Sequence, residues 1–359
     1  MVKPTIIFKT SKKLSPSFLF FFQYPQNSHF FAHLYEHLLD KIFTKIENSP
    51  YLIGGVSAGI LWILIRDNFN PKLLSDIFLL KTISLEDLYY EKKRIILEGL
   101  TNIYEHRLLI HNLIQYQKKD KRSLCEYFHS LEKLPVSKKE ILKNLNLTHV
   151  IFINSRSLIF SYQREINNIS ANFLFKKLKY KNTSFENVRV FPQDGIIYLA
   201  YSLSIPIDSI VEAYKLVFIS RVLREEIEKK LRENGLIYNC RLEMDKDFTS
   251  RIFSTFIFPI EAKNSKMVWE IAKKIIENPP KNEAFFKYIK KKLLEELAIK
   301  VKDFIEEERS KIEQQLEWNS FTPLSIREKI EIIKKINVEI LYKWWNKKLP
   351  QVSCYSLLY

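Results

Sequence analysis

Cysteine is scarce in this chain. Its 359 residues hold 3, namely Cys125, Cys240 and Cys354, far apart and odd in number. Neither a disulfide framework nor a cysteine-based metal site follows from them. Such usage suits a reducing compartment, so a cytoplasmic location is the expectation. Long apolar runs are also missing. Leu52 to Ile65 spans 14 residues and is interrupted by Gly54, Gly55 and Gly59, which is too short to cross a bilayer. Phe18 to Phe22, behind Lys12 and Lys13, has the outline of a signal peptide. The run is too short for one and no small-residue cleavage site follows, so a buried strand fits better. No membrane association is expected. No G-x-x-x-x-G-K-[ST] loop and no G-x-S-x-G elbow occurs, which removes support for nucleotide binding and serine hydrolysis.

What is abundant is apolar and basic. A hydrophobic content of 46% with 14% aromatics suffices for packed cores and excludes general disorder. The length is comfortable for two domains. Against 41 acidic residues stand 57 basic ones, a net charge of +16. That surplus raises nucleic-acid binding as a rival. The basic residues, however, are spread through Lys/Glu helices, and the densest cluster, Lys118 to Arg122, has no interleaved aromatics. No nucleic-acid partner is expected. Neutral or acidic peptides, or an acidic partner chain, suit the charge better.

Histidine is rare as well, with 7 in the chain, and 2 of them fall in one pentapeptide: His33-Leu34-Tyr35-Glu36-His37. On a helix, positions i and i+4 share a face, so both imidazoles reach one metal ion. Glu36 stands where it reaches a metal-bound water, giving the H-x-x-E-H order. A catalytic zinc takes three protein ligands and a water. The third ligand is sought in Tyr90 to Leu100, where Glu91 and Glu98 lie seven apart on one helical face. Isoleucines and leucines fill that segment, so Glu98 is expected to point coreward, where a carboxylate wants a partner.

With these motifs the chain resembles the pitrilysin/insulinase family of inverted-motif zinc peptidases, which includes the mitochondrial processing peptidase. The resemblance implies that His33, His37 and Glu98 are the ligands of one Zn2+, Glu36 the general base and Glu91 a supporting acid. The gap of 61 residues from His37 to Glu98 (98 − 37) is shorter than is usual in the family. The family also carries an Arg and a Tyr near a G-L-x-Y stretch that bind the substrate carbonyl region. Here the stretch runs from Arg232 to Tyr238. Tyr238 matches, while Arg232 lies one residue closer to it than the family pattern has it. Ser57 stands where members usually have Asn, beside a substrate-binding edge strand.

The chain repeats itself. Tyr90 to Glu98 matches Tyr288 to Glu296, and Glu140-Ile141-Leu142 matches Glu339-Ile340-Leu341, at offsets of 198 (288 − 90) and 199 (339 − 140). The fold expected is α+β: two duplicated α/β-layered domains, each a mixed sheet covered by helices on one face. A catalytic zinc-binding domain is expected over 1–167, a linker over 168–190 and a second, metal-free domain over 191–359. Strands are read at Ile6 to Phe8, Phe18 to Phe22, Ile60 to Ile65, Val150 to Ile153 and Val352 to Leu358. Long helices are read at Leu85 to Gln117 and Ala284 to Trp318. The 198 offset puts the second-half counterpart of His33 to His37 at Leu231 to Gly235, where neither histidine position keeps a ligand type. Glu105, His106 and His111 read as surface or core-edge residues, His29 as a neighbour of the site, and Trp344-Trp345 as core packing.

The function these readings give is zinc-dependent endopeptidase action on extended or unfolded peptides. The substrate is expected to add as a strand to a sheet edge near Leu61 to Ile65. The alternative is a catalytically impaired family member acting as partner subunit of a two-chain peptidase or other complex. A two-domain chain has exposed sheet edges, so a homodimer or a heterodimer with a related chain is expected.

Overall fold

The computed structural model describes residues 4–11, 15–25, 28–45, 52–57, 59–66, 71–101, 130–154, 159–173, 196–246, 251–301, 303–317 and 323–358. Glu105, His106, His111, Lys118 to Arg122, Cys125 and most of the expected 168–190 join lie outside them. The described residues divide into two compact units, one up to residue 173 and one from 196 onward.

The first unit runs β1 (Thr5–Lys9), β2 (Ser17–Gln23), α1 (His29–Thr44), β3 (Leu52–Ser57), β4 (Ile60–Arg66), α2 (Pro71–Phe78), α3 (Leu85–Thr101), α4 (Lys138–Lys143), β5 (Asn146–Ile153) and α5 (Ile159–Ser170). Its sheet has the order β1-β5-β2-β4-β3, with β1 parallel to β5 and the other pairs antiparallel. The sheet is therefore mixed. Phe18 to Phe22 occupy its central strand, and each is at most 1% exposed. The alternation of a strand sends Phe18, Phe20 and Phe22 to one face. There Phe18 meets Tyr162 of α5, Phe20 meets Phe78 of α2, and Phe22 meets Tyr35 of α1. The Tyr35 hydroxyl is buried in this layer and donates to the Phe78 carbonyl at 2.8 Å, which satisfies it.

The second unit runs β6 (Ile196–Pro206), α6 (Ile210–Glu233), β7 (Arg241–Lys246), β8 (Arg251–Glu261), α7 (Ser265–Glu277), α8 (Glu283–Lys300), α9 (Phe304–Glu317), α10 (Ile326–Lys335), α11 (Val338–Lys348) and β9 (Ser353–Leu358). Its described strands pair antiparallel in the order β7-β8-β6-β9. That order repeats β3-β4-β2-β5 of the first sheet. The architecture is α+β, two open sheets each layered with helices.

Two expectations change. Leu61 to Ile65 do not form an edge: β4 lies between β2 and β3, and its backbone pairs on both sides. On that side of the sheet the edge is β3, because the apolar run from Leu52 to Ile65 folds into a hairpin that turns at Gly59, whose φ is +76°. The helix read from Ala284 to Trp318 is two helices. Asp303 interrupts it by accepting hydrogen bonds from the N–H groups of Ile305 and Glu306 at 2.9 and 3.2 Å, the signature of a helix N-cap.

Candidate metal centre

Helix α1 sets the site. Its buried stripe, Leu34, Tyr35, Leu38, Leu39, Ile42 and Phe43, faces the core and turns His33 and His37 sideways, half-buried, with Glu36 between them. The two Nε2 atoms are 3.1 Å apart and the rings meet edge to face at a centroid distance of 4.6 Å. Helix α3 brings its carboxylates to the same place. A Glu98 oxygen lies 3.7 Å from His37 Nε2. One ligand atom from each of His33, His37 and Glu98 falls within 4.8 Å of the others, the group among the described residues fit to hold a metal ion.

The donor set fits zinc. Zinc–nitrogen bonds of about 2.0–2.1 Å in a tetrahedral site put ligand nitrogens about 3.3 Å apart, near the spacing of the two imidazoles. Glu91 is buried, at 3% exposure, and its Oε2 lies 3.3 Å from His37 Nδ1. A carboxylate there accepts the Nδ1–H and so leaves the Nε2 lone pair for a metal. Lys41 in turn lies 3.5 Å from Glu91 and 2.9 Å from Asp87, and Arg94 lies 3.6 Å from Glu91, so that carboxylate is held among cations. The hydrogen bond from Lys41, with those from Ser84, holds Asp87 well below the ordinary carboxylate range.

Glu36 has the opposite setting. Burial, with the charges of Glu98 and Asp40 behind it, pushes its carboxyl up to about 7. Part of that burial comes from β3. A Cβ on Gly54 would lie 2.9 Å from Glu36 Oε1 and 3.1 Å from its Cγ, so this strand approaches the carboxylate only because residue 54 has no side chain. Gly54 is a site residue that the motif reading missed. No spacing marks it, because its role is contact across elements.

The remaining expectations are placed as follows. Glu98 is less coreward than read: its side chain keeps 35% exposure, because α3 turns Glu91 into the core instead. His29 accepts or donates through Nδ1 to the Tyr24 hydroxyl at 3.0 Å, with its ring 6.0 Å from that of His33. Ser57 ends the edge strand β3, paired with Ile60. In the second unit, Arg232 lies 3.6 Å from Glu228 and 5.8 Å from the ring of Tyr238, which is 81% exposed. Between them Gly235, at φ +65°, closes α6 with Gly235 N–H on the Arg232 carbonyl and Leu236 N–H on the Leu231 carbonyl. Trp344 and Trp345 pack as read, with the Trp345 indole fully buried and donating to the Ile276 carbonyl.

The topology also gives the true counterpart of the histidine helix. The 198 offset holds for α3 and α8, but it does not extend to α1 and α6. Glu98 contacts His37, and its counterpart Glu296 contacts Arg221, an offset of 184 (221 − 37). The buried residues Leu34, Tyr35, Leu38, Leu39 and Phe43 then fall on Phe218, Ile219, Val222, Leu223 and Ile227, all buried. So His33 to His37 corresponds to Val217 to Arg221 and not to Leu231 to Gly235. Neither place keeps a metal-ligand type at the two histidine positions.

No protein-family model matches the sequence, and no curated protein resembles it closely enough to match. Solved structures do match. A chain of complex III2 from Candida albicans, solved with Inz-5 bound, aligns with a TM-score of 0.63 at 14% identity, over 98% of this chain and 93% of that one. The ferredoxin protease FusC, solved as a point mutant in complex with Arabidopsis ferredoxin, aligns at 0.64 and 12%, over 98% of this chain and 43% of that one. The periplasmic protease PqqL from Escherichia coli aligns at 0.62 and 10%, over 97% of this chain and 43% of that one. At these identities the likeness is one of fold. Among the described residues no helix is long and apolar enough to cross a membrane.

Proposed function

We propose that this chain is a zinc-dependent endopeptidase acting on extended or unfolded peptides. The observation that carries the reading is the convergence of His33, His37 and Glu98 within 4.8 Å, beside the half-buried carboxyl of Glu36. Its likeness in fold to two proteins described as proteases is in keeping with it. Bound zinc would polarise the scissile carbonyl and make the attacking water more acidic. Glu36 takes a proton from that water as its oxygen bonds to the carbonyl carbon, then delivers it to the departing nitrogen as the C–N bond breaks. Glu91 is a positioning residue that keeps His37 in the ligating tautomer. The edge strand β3, which has no strand on its outer side among the described residues, offers its backbone to an extended substrate, with Ser57 at its end. Arg232 and Tyr238 are proposed substrate contacts of the second unit.

Metal analysis tests the reading first. The purified protein is expected to hold about one zinc per chain, and His33→Ala or Glu98→Ala to lose it. Unchanged zinc in either variant rules out the ligand set.

A second reading, a partner subunit without its own turnover, is favoured by the likeness to a chain of complex III2. Zinc binding with no hydrolysis of any unfolded peptide would select it. In both readings the chain pairs, with itself or with a related chain, because β3 is an open sheet edge among the described residues. Light scattering checks this: a monomer with full peptidase rate rules pairing out.

A further inference from the structure

The duplication extends to details. In the first unit the Lys92 ammonium donates to the carbonyls of Glu132 and Leu134 at 2.7 and 2.8 Å. In the second, Lys290 donates to those of Lys334 and Ile336 at 2.5 and 2.8 Å. With the helices so matched, the place of the metal centre can be found in the second unit. It lies where α6, α8 and the start of β7 meet, and it is a cavity of about 550 Å³.

The chemistry of that place is changed. Arg221 replaces His37, Ile289 replaces Glu91, and Lys292 replaces Arg94, while Glu296 keeps the position of Glu98. Four cations line the cavity, Arg221, Arg224, Arg241 and Lys292, against two carboxylates, Glu225 and Glu296, a balance of +2 (4 − 2). A guanidinium has no lone pair to give, so a metal cannot be held as at His37. An anion can.

The four cations are not equivalent. Arg224 is fully engaged, with Nε on the Cys240 carbonyl and its two terminal nitrogens on Glu225 and Glu228. Arg241 is 2.5 Å from Glu243. Arg221 holds Glu296 through two nitrogens at 3.2 and 3.1 Å, but the Glu296 side chain is 52% exposed. An exposed pair of this kind contributes little, so an incoming carboxylate displaces Glu296 at little cost. Lys292 has no carboxylate within ion-pair distance among the described residues. Its ammonium lies 4.8 Å over the ring of Tyr288, at the cavity wall. Phe285 and Leu242 complete an apolar side.

We propose that this cavity is a carboxylate-binding subsite for peptides, taking an acidic side chain or a free C-terminus between Arg221 and Lys292. The same chemistry argues against a nucleic-acid strand. Glu225 and Glu296 share a single concave pocket with the cations, whereas a phosphate backbone needs a continuous basic track. The subsite requires neither metal nor turnover, so it stands or falls apart from the peptidase reading.

Fluorescence anisotropy on the full chain, with chelator present and at low salt, tests it. Three fluorescein-labelled nonapeptides serve as probes. One carries a central Glu and an amidated C-terminus, one a central Gln and an amidated C-terminus, and one a central Gln and a free C-terminus. At least one carboxylate probe is expected to bind about tenfold or more tightly than the neutral one, the scale of one charge-assisted hydrogen bond. Which carboxylate probe binds identifies the source of the anion. Lys292→Glu is expected to abolish the preference. Lys263→Glu makes the same change of charge on a side chain that is 75% exposed and paired with Glu261, and is expected to keep it. Should Lys292→Glu fail to fold, Lys292→Gln gives the same readout with a smaller loss. Equal binding of all three probes overturns the proposal, as does equal weakening by the Lys263 and Lys292 variants. Displacement of the probe by a single-stranded oligothymidylate that loses its own affinity in Lys292→Glu assigns the pocket to nucleic acid and overturns it too.

Discussion

Replacing Glu36 by Gln should destroy the chemistry and stabilise the protein. The amide cannot take a proton from water, so peptidase turnover falls by about a hundredfold or more. Zinc content should stay, because Glu36 is not in the ligand group. The stability effect follows from protonation. In the metal-free fold the Glu36 carboxyl sits at about 7 instead of its ordinary 4.5, because burial and the charges of Glu98 and Asp40 disfavour its anion. The unfolded chain loses this proton near 4.5 and the folded chain near 7. Between those values the folded state binds more protons, so stability falls as pH rises.

The full shift, 7 − 4.5 at about 1.4 kcal/mol per unit, corresponds to roughly 3 kcal/mol. Glu36 is only half-buried, and solvent screening halves that to about 1–2 kcal/mol. Glu36→Gln, with no charge to develop, escapes the penalty. Urea unfolding with chelator present should give wild type and variant the same stability at about pH 4.5, with the variant ahead by about 1–2 kcal/mol at about pH 8. A gap that does not widen between those two pH values refutes the account of Glu36 as a strained carboxyl. A variant that still turns over peptides refutes its role as base.

Three further outcomes are expected. Glu91→Gln should weaken zinc binding by about ten- to a hundredfold, measured by competition with a chelator, since the amide holds His37 Nδ1 less firmly than the carboxylate. Gly54→Ala should cut turnover while leaving zinc content intact, because its Cβ would press on the Glu36 carboxylate at 2.9 Å; a fully active Gly54→Ala protein shows that β3 does not set the base. Lys348→Met should destabilise the fold by about 3 kcal/mol in urea unfolding, since it strips a buried ammonium from Glu212 at 2.9 Å and from the Pro206 carbonyl. Burial alone would raise the Glu212 carboxyl, but the Asp208 N–H, Lys348 and the Trp344 indole bring it below its ordinary value. The wild-type stability from this contact is therefore present above that value and lost as pH falls, and the variant should lack that acid sensitivity.

The candidate site was legible because each residue the motifs marked in it lies on one of two helices with regular spacing. His33, Glu36 and His37 share a turn, and Glu91 and Glu98 share a face, so periodicity alone aligns them. The features that escaped depend on contact between elements. Gly54 matters through a clearance across to α1, and β3 is the edge because of pairing order. The break at Asp303 carries no proline or glycine, and an Asp in a run of Lys and Glu does not announce itself as a cap. The repeat was legible where helix matched helix, at α3 and α8. It slipped at α6, whose 24 residues replace the 16 of α1, since a constant offset cannot survive a change of element length.

That slip conceals how the two units diverged. Both keep a glutamate at the same position of the same helix, Glu98 and Glu296, and both set it against one residue of the facing helix. In the first unit that residue is His37, whose neutral imidazole offers a lone pair while Glu91 fixes its other nitrogen. In the second it is Arg221, always charged and without an acceptor, and the Glu91 position is the buried Ile289. One glutamate can therefore share a cation with two histidines or be the anion of a salt bridge, and its partner decides which. The scaffold that gathers a candidate metal site in one half sets an Arg221–Glu296 ion pair at the matching place in the other, with the same strand order among the described residues.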